Sequence, residues 1–264
     1  MGISVKQTKR IVFKVGTSTL TYASGQMNLR RTEKLIRVLA DLANRDLELL
    51  LVSSGAIAVG MAKLGLLARP EDVPTLQACA AVGQSELMYY YDKHFGEYNR
   101  TIAQILLTAD DLAEPKNSRH IVNTLERLLS DRILPIINEN DTVSVKEILH
   151  GDNDSLSAQV AALIEADALV LMSDIDGFYE SDPRVNSSAA LLDQVPLDDP
   201  GIDQAVSGLG SSLGTGGMRT KLEAARIAVP AGVRTFLLNG ADPEILYDLL
   251  EREATGSEFV ESEG

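Results

Sequence analysis

Apolar positions along the chain follow two alternating rhythms. Short, nearly unbroken apolar runs occur at Arg10–Val15 (RIVFKV), Leu47–Val52, Thr101–Leu107, Ile133–Ile137, Ala168–Met172 and Arg234–Leu238. Each reads as a strand, and Ala168–Met172, nearly all apolar, suits one covered on both faces of a parallel sheet. Between them, apolar residues recur three and four apart. Leu35, Ile36, Leu39 and Leu42 predict a helix opening at Asn28 or Leu29 and ending near Asn44, and Ile57, Val59 and Met61 mark one after the Ser53–Ala56 turn. Pro74 suits the start of a long helix reaching about Phe95. Further helices are expected at Ser118–Ser130, at Ser155 to about Ala166 with Asp154 as N-cap, at Met218–Val229 with Pro230 stopping it, and at Pro243–Leu250. The acidic stretch after Glu251 is expected to fray. This alternation predicts an α/β protein, a three-layer α/β/α sandwich on a central, mostly parallel sheet.

With 264 residues, 45% of them hydrophobic, the chain can bury a large core. No apolar run reaches membrane-spanning length, and the opening MGISVKQTKR is too short and polar for a secretory signal, so a cytoplasmic protein with no membrane partner is expected. Cys79, the single cysteine, excludes disulfides and sits in an Ala-rich run that suits a small buried residue. Nearby Ala78, Ala80, Ala81 and Gly83 would let another helix approach closely, from the same chain or a second subunit. The net charge of −14 argues against nucleic-acid binding and requires any phosphate site to be locally basic.

Polar residues gather where strands end: Lys14–Thr17, Ser53–Gly55, Asn138–Asp141, Gly151–Asp154, Ser173–Asp174 and Gly214–Lys221. In open α/β sheets that edge is where ligands bind. Lys14, inside a buried strand, is either a phosphate contact or a strand-end residue snorkelling to water. The segment GTGGMRTK (Gly214–Lys221) is the most anion-friendly stretch, with flexible glycines, a helix N-terminus near Met218 and the Lys221 cation. Its alternative is a mobile surface loop. Neither G-x-x-x-x-G-K-[ST] nor a strand followed by G-x-G-x-x-G occurs, His94, His120 and His150 have no ligand spacing, and no G-x-S-x-G elbow exists. P-loop ATPases, Rossmann dehydrogenases, zinc hydrolases and Ser-His-Asp hydrolases are thereby disfavoured.

Several stretches resemble the glutamate 5-kinases of the amino acid kinase superfamily: FKVGTSTLT (Phe13–Thr21), VSSGAIAVG (Val52–Gly60), AAVGQSEL (Ala80–Leu87), QILLT (Gln104–Thr108), PIINENDTV (Pro135–Val143), GDNDSLSA (Gly151–Ala158), DPR (Asp182–Arg184) and SSLGTGGMRTK (Ser211–Lys221). The resemblance implies the amino acid kinase fold over residues 1–264. Its first part would mainly bind glutamate, and the part from about residue 151 would mainly bind ATP. It also implies phosphoryl transfer from ATP, with Mg²⁺, to the side-chain carboxylate of L-glutamate, the first step of proline biosynthesis. By position, Lys14, Asp154 and Lys221 resemble the catalytic set, with Asp154 holding the lysines in place. Ser54, Gly55, Asp141 and Asn153 resemble the glutamate contacts, Asp141 suiting the α-ammonium and Ser54 and Asn153 able to donate to a carboxylate. Lys14, Gly16, Ser173, Asp174 and the run Thr215, Gly216, Gly217, Met218, Arg219, Thr220 and Lys221 resemble the ATP contacts. Relatives further imply proline as feedback inhibitor, a homo-oligomer (dimer or tetramer) and glutamyl phosphate reductase as a possible partner. Many carry a C-terminal PUA domain, and what that module does is not expected here. Competing readings are a superfamily kinase with another acceptor, or a catalytically silent amino-acid sensor.

Overall fold

The computed structural model describes residues 2–5, 8–144, 153–207 and 217–261. In chain order, β1 (Arg10–Val15) leads through the short α1 (Thr17–Leu20) and α2 (Leu29–Ala43) to β2 (Glu48–Ser53), then α3 (Ala56–Lys63) and the long α4 (Val73–Glu97). β3 (Ile102–Leu107), α5 (Ala109–Ala113), α6 (Pro115–Ser130) and β4 (Leu134–Glu139) complete the first half. The second half has α7 (Asp154–Leu163), β5 (Ala168–Ser173), the small pair β6 (Phe178–Tyr179) and β7 (Leu191–Leu192), β8 (Gln194–Pro196) and α8 (Pro200–Ser207). It ends with α9 (Met218–Ala228), a 3₁₀ turn at Val229–Ala231, β9 (Arg234–Asn239), α10 (Ile245–Glu251) and β10 (Gly256–Val260).

The main sheet runs β3-β4-β2-β1-β5-β9-β10-β8. The pairs from β3 to β9 are parallel, and β10 is antiparallel to β9. Alternation along β1 splits its side chains between two cores. Ile11, Phe13 and Val15 join α2, α4 and α10, whereas Val12 joins α6, α7 and α9. Lys14 shares the parity of Val12 and therefore lies on the α7/α9 side of the sheet. Among the described residues no helix is long and apolar enough to cross a membrane.

The small-residue patch serves packing within the chain. A Cβ at Gly60 would stand 1.8 Å from the Cys79 carbonyl oxygen, and one at Gly83 would stand 1.7 Å from that of Ala56. Glycine at both positions lets α3 and α4 cross nearly backbone to backbone, with Cys79 buried between them.

Three expectations are corrected. The described residues after Glu251 do not simply fray: Gly256–Val260 form β10, wedged between β9 and β8, with Phe259 buried. Gly256 makes that pairing possible, since a Cβ there would meet Leu238 Cδ2 at 2.4 Å and the Leu237 carbonyl oxygen at 2.7 Å. The outward Glu258 accepts from Arg234 Nε at 2.8 Å, so an acidic residue suits a strand here. The helix expected to reach about Ala166 stops at Leu163. Its N-cap is Asn153, not Asp154; Asp154 is the first helical residue, and its carboxylate turns to other partners.

Candidate active site

Asp154 is completely buried, with Lys14 Nζ 2.6 Å from Oδ1 and Lys221 Nζ 3.1 Å from Oδ2. The Thr220 hydroxyl also donates to Oδ2, at 2.8 Å. A buried carboxylate is tolerable only when paired, and this one is paired on both oxygens. In a chain of net charge −14, two lysines drawn to one point make the kind of cationic site that a phosphate requires. The two ammonium groups, from β1 and α9, thus lie on either side of one carboxyl group, and the snorkelling alternative for Lys14 falls because it is only 2% exposed.

The crossover from β1 leads to β2 and that from β5 leads to β9, on opposite sides, so the sheet switches direction between β1 and β5. Such a switch opens a crevice beyond the strand ends. Gly16 sits there, and even a Cβ on it would stay 3.9 Å from Lys14 Nζ and from the Met172 carbonyl oxygen. At the end of β5, Ser173 donates to Asp174 Oδ1 at 3.2 Å. Gly217 is the N-cap of α9; Met218 packs into the core, and Arg219 turns outward to pair with Glu223 at 3.0 Å. Thr220 and Lys221 therefore face Asp154. Thr215, Gly216 and the Gly151–Asp152 part of GDND lie outside the described residues.

A second cavity adjoins this crevice, lined by Thr17, Ser54, Gly55, Arg69, Asn138, Asp141 and Asn153. Gly55, at φ +99°, makes the left-handed turn from β2 into α3, where a side chain would be strained. Ser54 is nearly buried at 8% exposure, and its hydroxyl has no hydrogen-bond partner among the described residues. Asn153 Nδ2 donates to the Ser53 carbonyl oxygen at 2.7 Å and to Asn138 Oδ1 at 2.6 Å. Asn138 Oδ1 also accepts from the Glu139 N–H at 2.9 Å, and Asn138 Nδ2 donates to Gln84 Oε1 at 2.7 Å. Burial raises Asp141 to about 6, with the Arg69 guanidinium opposing the rise. Burial pushes Glu139 up to about 7; Ser144 opposes this, and Asp141, Asp111 and Asp110 add to it.

The structure thus brings Lys14, Asp154, Thr220 and Lys221 together at one point and Ser54, Gly55, Asp141 and Asn153 at the adjoining cavity, with Gly16, Ser173 and Asp174 at neighbouring strand ends. Arg219 is carried to the surface. Sequence reading missed Arg69, which lies between α3 and α4, outside any periodic stretch. Its one signal is an arginine before Pro70 in an acidic chain. Gln84 was read only as part of AAVGQSEL, because nothing in a helical pattern says which amide its side chain meets.

Residues 9–239 match the amino acid kinase family. A glutamate 5-kinase of Clostridium perfringens is 50% identical over 265 residues, covering 99% of this chain and 98% of the relative. One from Listeria welshimeri is 50% identical over 261 residues, covering 97% and 95%. Among solved structures, an isopentenyl phosphate kinase superposes with a TM-score of 0.65 at 17% identity, covering 95% of this chain and all of the other. UMP kinase from Bacillus anthracis gives 0.65 at 16% identity, covering 97% of each chain. At such identities the structures speak for the fold alone. The near full-length matches at half identity speak for more: the chain belongs to the amino acid kinase family, among the glutamate 5-kinases.

Proposed function

We propose that this protein transfers the γ-phosphoryl group of ATP to the side-chain carboxylate of L-glutamate, giving L-glutamyl 5-phosphate and ADP, the first step of proline biosynthesis. The observation that carries the reading is the pair Lys14 and Lys221 on the two oxygens of buried Asp154, beside a cavity that holds an acid, a guanidinium and a serine hydroxyl with no hydrogen-bond partner among the described residues.

A side-chain carboxylate with a pKa of about 4.3 is already ionised at neutral pH, so the acceptor needs no general base. Catalysis then consists of alignment and neutralisation of charge on the transferring group. Lys14 and Lys221 are the catalytic residues, each contributing on the order of 3 kcal/mol to the transition state. Asp154, which touches neither substrate, is a positioning residue holding both nitrogens in the crevice. Gly16, Ser173, Asp174 and the segment from Thr215 to Thr220 border the nucleotide. Mg²⁺ is read as arriving with the phosphates of ATP, as part of the substrate.

In the adjoining cavity Asp141 takes the α-ammonium, Ser54 and the N-terminus of α3 at Gly55 take a carboxylate, and Arg69 supplies the remaining countercharge. The division of labour is not strictly by halves: Lys14 comes from the glutamate-binding first part, and Asn153 comes from the ATP-binding part after residue 151. Proline, which also carries an α-carboxylate and a cationic nitrogen, is assigned to the same cavity as a competing inhibitor. A cytoplasmic homo-oligomer, a dimer or tetramer, with hand-off of the labile product to glutamyl phosphate reductase, completes the proposal.

The test is to trap the acyl phosphate with hydroxylamine. Glutamyl hydroxamate should form in step with ADP, only when glutamate is present. ADP release without hydroxamate, or turnover independent of glutamate, would overturn the assignment.

A further inference from the structure

We infer that Gln84 is a positioning residue for the amino-acid cavity. Through Asn138 it fixes Asn153 so that the amide oxygen of Asn153, and not its nitrogen, meets the substrate, as a second acceptor for the α-ammonium alongside Asp141. This rests on reading the cavity as the glutamate site.

The argument is one of hydrogen-bond polarity along a chain of three amides. Both ends of the chain's inner part are anchored on backbone groups with no choice of role. The Ser53 carbonyl oxygen can only accept, so the Asn153 atom 2.7 Å from it is the NH₂ group. The Glu139 N–H can only donate, so the Asn138 atom 2.9 Å from it is the oxygen. That oxygen takes the second Asn153 hydrogen at 2.6 Å, which leaves the Asn138 NH₂ facing Gln84 Oε1 at 2.7 Å. An Asn side chain has two N–H hydrogens. Both of those on Asn153 point inward, so what remains for the cavity is Oδ1. It cannot donate to a carboxylate, the role expected for Asn153 from sequence, but it suits an ammonium.

Gln84 completes the chain from a rigid base. It follows Gly83, whose close contact with Ala56 holds α4 against α3. Without its oxygen, Asn138 Nδ2 loses its acceptor, and the Asn138 amide is held by its oxygen alone. The acceptor of the second Asn153 hydrogen is then less firmly placed.

Steady-state kinetics on the full chain can test this, with glutarate, which lacks the ammonium, as a competitive inhibitor. In Gln84→Met the KM for glutamate should rise about tenfold, while kcat, the KM for ATP and the Ki for glutarate stay within about twofold. Gln84→Glu keeps an oxygen facing Asn138 and should stay within about threefold of wild type. An unchanged glutamate KM in Gln84→Met overturns the inference. So does a glutarate Ki that climbs in parallel, or a Gln84→Glu variant as impaired as Gln84→Met. Should Gln84→Met lose its melting transition, Gln84→Asn, one methylene shorter, takes its place with the same expected split. Wild-type protein without glutamate-dependent ADP release would instead bring down the functional reading itself.

Discussion

Asp154 and Asp141 stand at the same edge of the sheet, one opening α7 and the other just past β4. Asp154 is sealed from water and matched on both oxygens by lysines. Asp141 borders an open cavity with Arg69 on its wall, and burial holds its pKa near 6. The first carboxylate is met by a cation on each oxygen; the second is held short of full compensation. The difference teaches that one protein can keep one acid as scaffolding and leave another waiting for a cationic ligand, using desolvation in both cases.

Four measurements would break or sharpen that contrast. The largest effect is expected for Asp154→Ala, which strands two buried lysines; it should cost about 3–5 kcal/mol of stability by denaturant titration. The same variant should lower kcat by at least about a thousandfold. A mild effect on both would mean Asp154 is no scaffold. Next, Lys14→Ala and Lys221→Ala should each reduce kcat on the order of 100- to 1000-fold, with glutamate KM changed only a few-fold. Equal effects on KM would place them on the wrong substrate.

Asp141→Ala should raise the KM for glutamate about 10- to 100-fold with kcat nearly kept. The acid is neutral below its pKa, so in the wild type that KM should climb as pH falls through about 6, and Asp141→Asn should abolish the climb. A flat wild-type profile from pH 7 to 5 would refute the pairing with an ammonium. The smallest effect concerns Glu139, raised to about 7 by burial. Its folded-state pKa lies above the unfolded value, so the folded protein loses stability as pH rises from about 4.5 to 7. Glu139→Gln should therefore stabilise by on the order of 2 kcal/mol at pH 8, a gain that vanishes near pH 4. Thermal melts across that range would check the sign.

The buried strands were legible because each is a continuous apolar run, and Lys14 stood out as a charge inside one. The clustering of polar residues at strand ends, and the order of the sheet's first half as β, α, β units, followed from the same rhythm. What escaped was set by distant partners. Gly256–Val260 reads as a polar tail until β9 and β8 are on either side of it, with the Ser257 hydroxyl accepting from the Phe178 N–H and donating to the Leu192 carbonyl oxygen. Asp154 looked like a cap because capping is a local role, whereas its lysines lie far away in the chain. The polarity of Asn153 depends on Ser53 and Asn138, and no periodicity in sequence carries that information.

Strand β10 has a consequence for synthesis. It comes after every other described strand in chain order, yet it sits inside the sheet, and β8 joins the sheet through it. A ribosome-bound chain that has not yet emitted residues 256–260 leaves one rim of β9 open, a template for foreign strands. Quality control of this enzyme should therefore hinge on residues 256–260, and a chain cut just before Gly256 should go toward inclusion bodies although every catalytic group is still present.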